Sequence, residues 1–390
     1  MIASRTARRT HGFTESVIRE MTRVAREHDA INLAQGFPDF PAPQLLKDAA
    51  CEAIQGDINQ YAITWGSPHM RDALVAKYEH WYGMEVDGDR EITVTCGATE
   101  AMASIMLAVI NPGDEVIVLE PFYENYGPDA ILAQAKPVFL TLEPPEFRID
   151  SERLASLVTE RTRAIIVNTP NNPTGRVLDR DELEAIADIC REHDLMAITD
   201  EIYEHILYEG EHIPMATLEG MRDRTITVSG LSKTFSVTGW RIGTVIAPAD
   251  LTDAIRKVHD FLSVGAPAPL QEACAVGMKA LDDTYYESMI EDYRVRRETL
   301  YQGLIEAGFQ CGRPQGAYYV LADFSALSDD ASDAFSRRLT REAGVTPVPG
   351  SSFYSDPELG HSLVRFVFCK KAEMLEAASK RLRAFARSGG

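Results

Sequence analysis

The sequence predicts an α/β protein: a large domain with a mostly parallel central sheet flanked by helices, and a smaller α+β domain. Three observations carry this. From about residue 91, short apolar runs over residues 92–95, 116–119, 164–168, 196–199, 225–228 and 244–247 alternate with helical stretches, the pattern of strands buried on both faces between helices. After about residue 280 the alternation gives way to a long helical stretch, two strand-like runs and a last helix. At 390 residues the chain is also longer than one hydrophobic core usually serves. The expected division is residues 41–280 for the large domain, with 1–40 and 281–390 forming the smaller one.

In order along the chain, Val17, Ile18, Met21, Val24 and Ala25 recur at helical spacing, so residues 16–25 predict an amphipathic helix. Asn32-Leu-Ala-Gln-Gly-Phe-Pro-Asp-Phe-Pro-Ala-Pro43 ends that pattern, because its prolines and glycine fix a loop. Asp179, three residues before Glu182, has the spacing of a capping box at the start of a helix over 183–193, and a strand ending at Asp200 follows directly. Further on, residues 286–307 read as a long helix, 317–323 and 363–368 as strands, and 371–387 as the closing helix. No repeat or low-complexity segment interrupts this order.

Composition narrows the function classes. The 39 basic and 59 acidic residues leave a formal charge of -20, which repels nucleic-acid backbones and anionic lipid, and no run of Lys or Arg makes a local exception. Neither nucleic acid nor membrane is therefore an expected partner. The six cysteines are scattered, with no Cys-x-x-Cys pair and no His at ligand spacing, which argues against both a disulfide framework and a metal site. No apolar run approaches the roughly eighteen residues of a spanning helix, and the start of the chain lacks a signal-peptide core, so a cytoplasmic location is expected.

In an open parallel sheet, ligands bind at the carboxyl ends of strands, so polar residues stationed there are weighed first. Four segments qualify. Thr95-Cys-Gly-Ala-Thr-Glu-Ala101 follows a strand and opens a helix, so Gly97, Ala98 and Thr99 offer backbone N–H groups to an anion, although a glycine there also serves as a plain turn residue. Asn168-Thr-Pro-Asn-Asn-Pro-Thr-Gly175 sets two amides in a proline-fixed loop; an Asx turn accounts for Asn171, while Asn172 reads as ligand-facing. Thr199-Asp-Glu-Ile-Tyr203 ends a strand with Asp200 and places the phenol of Tyr203 three residues on; with Glu201 alongside, a divalent cation is a rival reading that no second carboxylate cluster supports. Lys233 lies in Ser229-Gly-Leu-Ser-Lys233, beyond a further strand, with Arg241 eight residues later. Only nine of the basic residues are lysines, so one placed among small polar residues after a buried strand stands out, even though most lysines are solvated.

Together these sites supply what pyridoxal 5'-phosphate requires. Lys233 would hold its aldehyde, Asp200 its ring nitrogen, and Asn172 with Tyr203 its phenolic oxygen. The Gly97-Ala98-Thr99 turn with Arg241 would take the phosphate.

The stretches 168–175, 199–203, 232–243 and 364–368 resemble the signatures of the class I/II pyridoxal-phosphate-dependent aminotransferases (aspartate aminotransferase fold, fold type I), and the resemblance runs nearly end to end. Asn32-Leu-Ala-Gln-Gly-Phe-Pro-Asp-Phe-Pro41, Asn59-Gln-Tyr61, Glu120-Pro-Phe-Tyr-Glu-Asn-Tyr126 and Pro314-Gln-Gly-Ala-Tyr-Tyr319 are most similar to the kynurenine, glutamine and methionine aminotransferase branch. The resemblance implies ping-pong transfer of an amino group from an L-amino acid to a 2-oxo acid. The implied donor is broad or of kynurenine, methionine, glutamine or aromatic type. Cysteine-conjugate β-elimination at the same site and aspartate-type transamination are the alternatives.

The resemblance also implies site roles. It places Tyr123 on the cofactor ring, Arg365 on the substrate α-carboxylate and Gly36 beside that carboxylate; a planar guanidinium suits a bidentate carboxylate. It implies a homodimer with shared active sites, in which Tyr61 reaches the partner subunit's phosphate. Gly230 departs from the pattern, since many relatives carry a phosphate-binding serine there, and Ser232 or Ser229 would substitute. A DNA-binding regulator of related fold is opposed by the charge and by the lack of a helix-turn-helix segment ahead of the α/β region.

Overall fold

Apolar runs buried on both faces decide the central layer. In the computed structural model, which describes residues 5–388, a two-residue strand β1 (Ile31–Asn32) precedes a seven-stranded sheet. Its strands are β2 (Ile92–Thr95), β3 (Glu115–Glu120), β4 (Lys136–Thr141), β5 (Thr162–Asn168), β6 (Met196–Asp200), β7 (Thr225–Gly230) and β8 (Gly243–Ile246). They pair in the order β2-β8-β7-β6-β5-β3-β4. Every residue of β2, β3, β7 and β8 is buried, as strands covered on both faces must be. Pairing is parallel from β7 through β6, β5 and β3 to β4, while β8 runs antiparallel to both β7 and β2.

The mostly parallel sheet is therefore as expected, with β8 as the reversed strand. Strand β4 was not foreseen: it pairs on one side only, and of its six residues Leu140 alone is buried, so it lacks the continuous apolar signal. Registers Asn168↔Asp200 and Asp200↔Val228 bring the carboxyl ends of β5, β6 and β7 to one edge. The loops that follow these strands consequently lie side by side.

Local chemistry fixes the flanking helices. Helix Arg180–Glu192 starts on the expected capping box, in which Asp179 accepts from the N–H of Glu182 and Glu182 accepts from that of Asp179. Arg148 and Arg176 brace the same corner, donating to Asp179 at 2.8 Å and to Glu182 at 2.5 Å. Helix Val17–Glu27 is capped by Ser16 and buries Met21, Thr22 and Ala25.

The rest of the chain adds β9 (Tyr319–Asp323), β10 (Val345–Thr346), β11 (Val348–Pro349) and β12 (Leu363–Val367). Strands β11, β12 and β9 form an antiparallel sheet, and β1 pairs in parallel with β10, so the N-terminal segment joins the C-terminal elements. Helices Asp283–Glu306 and Ala372–Arg387 close on an aromatic core in which Phe324 and Phe335 stack at 3.9 Å. Among the described residues, no helix is long and apolar enough to cross a membrane.

The two closing helices meet tightly at Gly303, where an added Cβ would overlap the Ser379 side chain and lie 3.1 Å from its Cα. Overpacking of this kind costs about 1–3 kcal/mol and exceeds the few tenths that helix propensity returns. Gly303→Val is expected to lower the urea midpoint by the equivalent of about 2 kcal/mol; an unchanged midpoint would show that the helices part freely.

Candidate active site

The carboxyl edge of β5, β6 and β7 opens into a cavity of about 330 Å³. Asp200, the last residue of β6, lies at its floor and is buried. Its Oδ2 accepts from the Tyr126 hydroxyl at 2.7 Å and its Oδ1 from the Ile202 N–H at 3.3 Å. Burial pushes its carboxyl above the usual range, and these two donors and Lys233 only partly oppose that. A carboxylate so placed is stabilised by any cation brought against it. Glu201 does not join it: its oxygens are taken by Thr199 Oγ1 and His212 Nε2, each at 2.8 Å, so the acidic pair is divided between two environments.

Lys233 follows β7 and reaches the same space. Its Nζ donates to the Gly36 carbonyl at 3.3 Å and lies 5.7 Å from the Tyr203 ring. Burial brings its ammonium down to about 8, with Cys369 and Asp200 opposing and Arg241 and Arg365 assisting. An amine with that pKa keeps a far larger neutral fraction near physiological pH than an ordinary lysine does, and that fraction serves as nucleophile and base.

The two serines separate clearly. Ser232 lines the cavity, whereas Ser229 donates to Glu204 Oε1, which also accepts from Lys77 at 2.6 Å. Gly230 also has a packing cause: a Cβ there would stand 2.8 Å from the Ile242 carbonyl and 3.0 Å from Ile202 Cδ1. A serine at that position would force β7 away from β8.

The anion-binding end is built from helix Ala98–Val109, whose N-cap Gly97 adopts φ 84° and whose first turn no side chain caps. The N–H groups of that turn are left for a ligand. Ala98 and Thr99 line the cavity but Gly97 does not; its part is to make room, since any Cβ would overlap the Arg241 guanidinium. Arg241, at φ 56°, is fixed by a bond from Nη1 to the Thr238 carbonyl at 3.1 Å.

Opposite stands Arg365 on β12, 1% exposed. Nη1 donates to Asn172 Oδ1 at 2.8 Å and Nη2 to the Ala34 carbonyl at 2.5 Å, while the buried Nε has no partner. The rings of Tyr319 and Phe353 flank it at 4.6 and 5.0 Å. Gly36 is required here, because a Cβ would lie 2.5 Å from the Tyr319 hydroxyl. Tyr203 shares a 2.5 Å hydrogen bond with that hydroxyl, and Tyr123 lines the same cavity, edge-on to Tyr126.

Sequence reasoning named just under half of this lining, and four contributors it missed stand out. Tyr126 buttresses Asp200, Tyr319 backs Arg365, and Asn168 ties the amide loop to β6 through bonds of 2.8 Å to the Asn172 N–H and the Asp200 carbonyl. Arg19 is the fourth, brought in from helix Val17–Glu27. Tyr126 and Tyr319 stand within quoted stretches, yet what a tyrosine hydroxyl meets is set by tertiary contacts. Tyr61 lies outside the cavity and is 85% exposed.

Residues 28–382 match the model of the family described as aminotransferase class I and II. The solved N-succinyldiaminopimelate aminotransferase of Mycobacterium tuberculosis superposes with a TM-score of 0.95 at 39% identity, covering 97% of this chain and all of that one. The methionine aminotransferase of Escherichia coli is 37% identical over 94% of this chain and 95% of its own length. A kynurenine–oxoglutarate transaminase of Dictyostelium discoideum is 35% identical over 96% of this chain and 95% of its own.

Reductive alkylation of Lys233 in the cofactor-free chain is expected to reach half its maximal rate near pH 8. An ordinary lysine, with a pKa of about 10.4, is almost wholly protonated there. Peptide mapping across a pH series reads the midpoint, and one above pH 10 would contradict the depressed pKa.

Proposed function

The chain belongs to the class I and II aminotransferases, whose members depend on pyridoxal phosphate, and from that premise we propose that this cavity holds the cofactor on Lys233 and serves both halves of a ping-pong transamination. The observation that carries the reading is one cavity gathering a buried carboxylate, an amine of pKa about 8 and a guanidinium with an unpartnered Nε.

The residues present fit the group. Arg241, Ser232 and the N–H groups of Ala98 and Thr99 would hold the phosphate, with Gly97 leaving room for Arg241. Asp200 would pair with a protonated ring nitrogen, which supplies the countercharge its burial lacks. Tyr123 would stack on the ring. Asn172 gives its Oδ1 to Arg365 and keeps its Nδ2 for the phenolic oxygen, together with the Tyr203 hydroxyl. When bound, pyridoxal phosphate carries the amino group between the two substrates and acts as the electron sink for the bond broken at the substrate Cα.

The chain's own groups do the rest. Two of the five guanidinium donors of Arg365 are committed to Asn172 and Ala34, which orients the others to grip the substrate α-carboxylate beside Gly36. Lys233, about half neutral near pH 8, takes the α-proton and returns it. Tyr319 and Phe353 keep water from the flanks of Arg365.

The reading extends to a cytoplasmic homodimer with shared sites. Tyr61 would reach the partner subunit's phosphate, and its exposure beside other uncovered apolar side chains, Phe261 at 91% among them, supports that. The proposed division into residues 41–280 and residues 1–40 with 281–390 is supported by the separation of the seven-stranded sheet from the three-stranded sheet and the β1–β10 pair. Relatives named for methionine and kynurenine support a donor of that broad type.

Lys233→Ala is expected to lower amino transfer by at least about a thousandfold, since it removes both the anchor and the proton carrier. Arg365→Ala should raise KM for the amino acid about ten- to a hundredfold. Steady-state kinetics on a panel of amino acids with 2-oxoglutarate reads both, and wild-type turnover by Lys233→Ala sinks the assignment. Sedimentation of the wild-type chain should show a dimer; a monomer would remove the role given to Tyr61.

A further inference from the structure

The turn proposed to hold the phosphate carries a charge of the same sign as its ligand. Glu100 is the third residue of helix Ala98–Val109, and its Oε2 accepts from the Cys96 N–H at 3.0 Å, one residue ahead of the N-cap Gly97. Ser104 donates to Oε1 of the same carboxylate, and the side chain is only 15% exposed. A carboxylate in a first turn takes part of the positive helix end for itself and repels a phosphate brought to the neighbouring N–H groups. Left bare, Glu100 would oppose the anion site that Ala98, Thr99 and Arg241 line.

It is not bare. His259, on helix Ala249–Ser263, is fully buried and sets Nδ1 at 3.0 Å from both oxygens of Glu100. Its Nε2 lies 2.9 Å from the Thr64 carbonyl, three residues beyond Tyr61. A carbonyl and a carboxylate both accept, so a ring between them is fully bonded only with a proton on each nitrogen, as imidazolium. Ser263 Oγ stands 3.2 Å from Nδ1, and Asp260, next along the helix, accepts from Thr64 Oγ1 at 3.2 Å. Burial presses the ring toward its neutral form, but Glu100 and the Thr64 carbonyl outweigh it and the net shift is upward. Burial likewise raises the Glu100 carboxyl, and the bonds from His259 and Ser104 draw it down overall.

Resting on the aminotransferase reading above, we propose that His259 is a positioning residue for the cofactor's phosphate: its positive charge cancels that of Glu100 and holds this carboxylate on the Cys96 N–H, leaving the turn at Ala98 and Thr99 to the phosphate. His259 itself lines no part of the cavity. It acts on the site through Glu100, and through Thr64 it ties the turn to the segment that carries Tyr61. Gly243 sets the depth of that turn from below, since a Cβ there would lie 2.5 Å from the Ala98 nitrogen. A glutamate then orders the helix start without weakening the anion site beside it.

Equilibrium dialysis of the cofactor-free full chain tests this with pyridoxal 5'-phosphate and pyridoxal, which differ by the phosphate alone. His259→Gln is expected to weaken pyridoxal 5'-phosphate about tenfold and pyridoxal less than about twofold. Adding Glu100→Gln to that variant removes the uncancelled charge and should restore most of the loss. Glu100→Gln alone should bind pyridoxal 5'-phosphate at least as tightly as the wild type does. An unchanged affinity in His259→Gln, an equal weakening of both probes, a double variant no tighter than His259→Gln, or a marked loss in Glu100→Gln alone overturns the role given to His259 while leaving the aminotransferase reading in place. A wild-type chain that binds pyridoxal as tightly as its phosphate overturns the reading beneath it.

Discussion

The site depends on where Arg365 is held. It projects from β12, in the three-stranded sheet, yet hydrogen-bonds Asn172 in the loop after β5 of the seven-stranded sheet and the carbonyl of Ala34 in the N-terminal segment. One guanidinium thus joins three stretches distant in sequence. Asn168 anchors the Asn172 end of this contact to Asp200, and Tyr319 backs the other, so displacing any of the three would disturb a chain that reaches the floor of the cavity. Burying such a charge is costly without partners, and here two acceptors and two aromatic faces offset the desolvation while Nε stays unsatisfied.

The electrostatics follow from that arrangement. Asp200 and Lys233 lie on one cavity, and burial pushes the carboxyl up and the ammonium down, each toward its neutral form. Arg241 and Arg365 strengthen the effect on the lysine. Neutral amine and buried carboxylate are what a ligand bearing an aldehyde, a basic ring nitrogen and a phosphate would use. The sheet topology matters because it delivers Asp200 at the end of β6 and Lys233 from the loop that follows its parallel neighbour β7.

Much of this was legible in the sequence because its carriers are short and local. Asp200, Lys233 and Asn172 each follow an apolar run that could only be a strand, and the Asp179–Glu182 spacing gave its helix start correctly. What escaped depends on long-range contact. Strand β4 lies at the sheet edge and is half covered, so its composition does not announce it. Tyr126 and Asp200 are 74 residues apart, and nothing local tells that phenol to face that carboxylate. Gly230 read as a missing serine until its closeness to Ile242 supplied a steric reason. Nothing in the sequence singles out Arg19, and only the fold brings it, still exposed, to the cavity.

The central claim is that Lys233 is the residue that receives the cofactor. The chain is incubated with pyridoxal phosphate, reduced with borohydride, digested and mapped by mass spectrometry. One pyridoxyl adduct on the peptide carrying Lys233 is the predicted result, with the other eight lysines unlabelled. An adduct confined to another lysine, or spread evenly over the surface, would contradict the account.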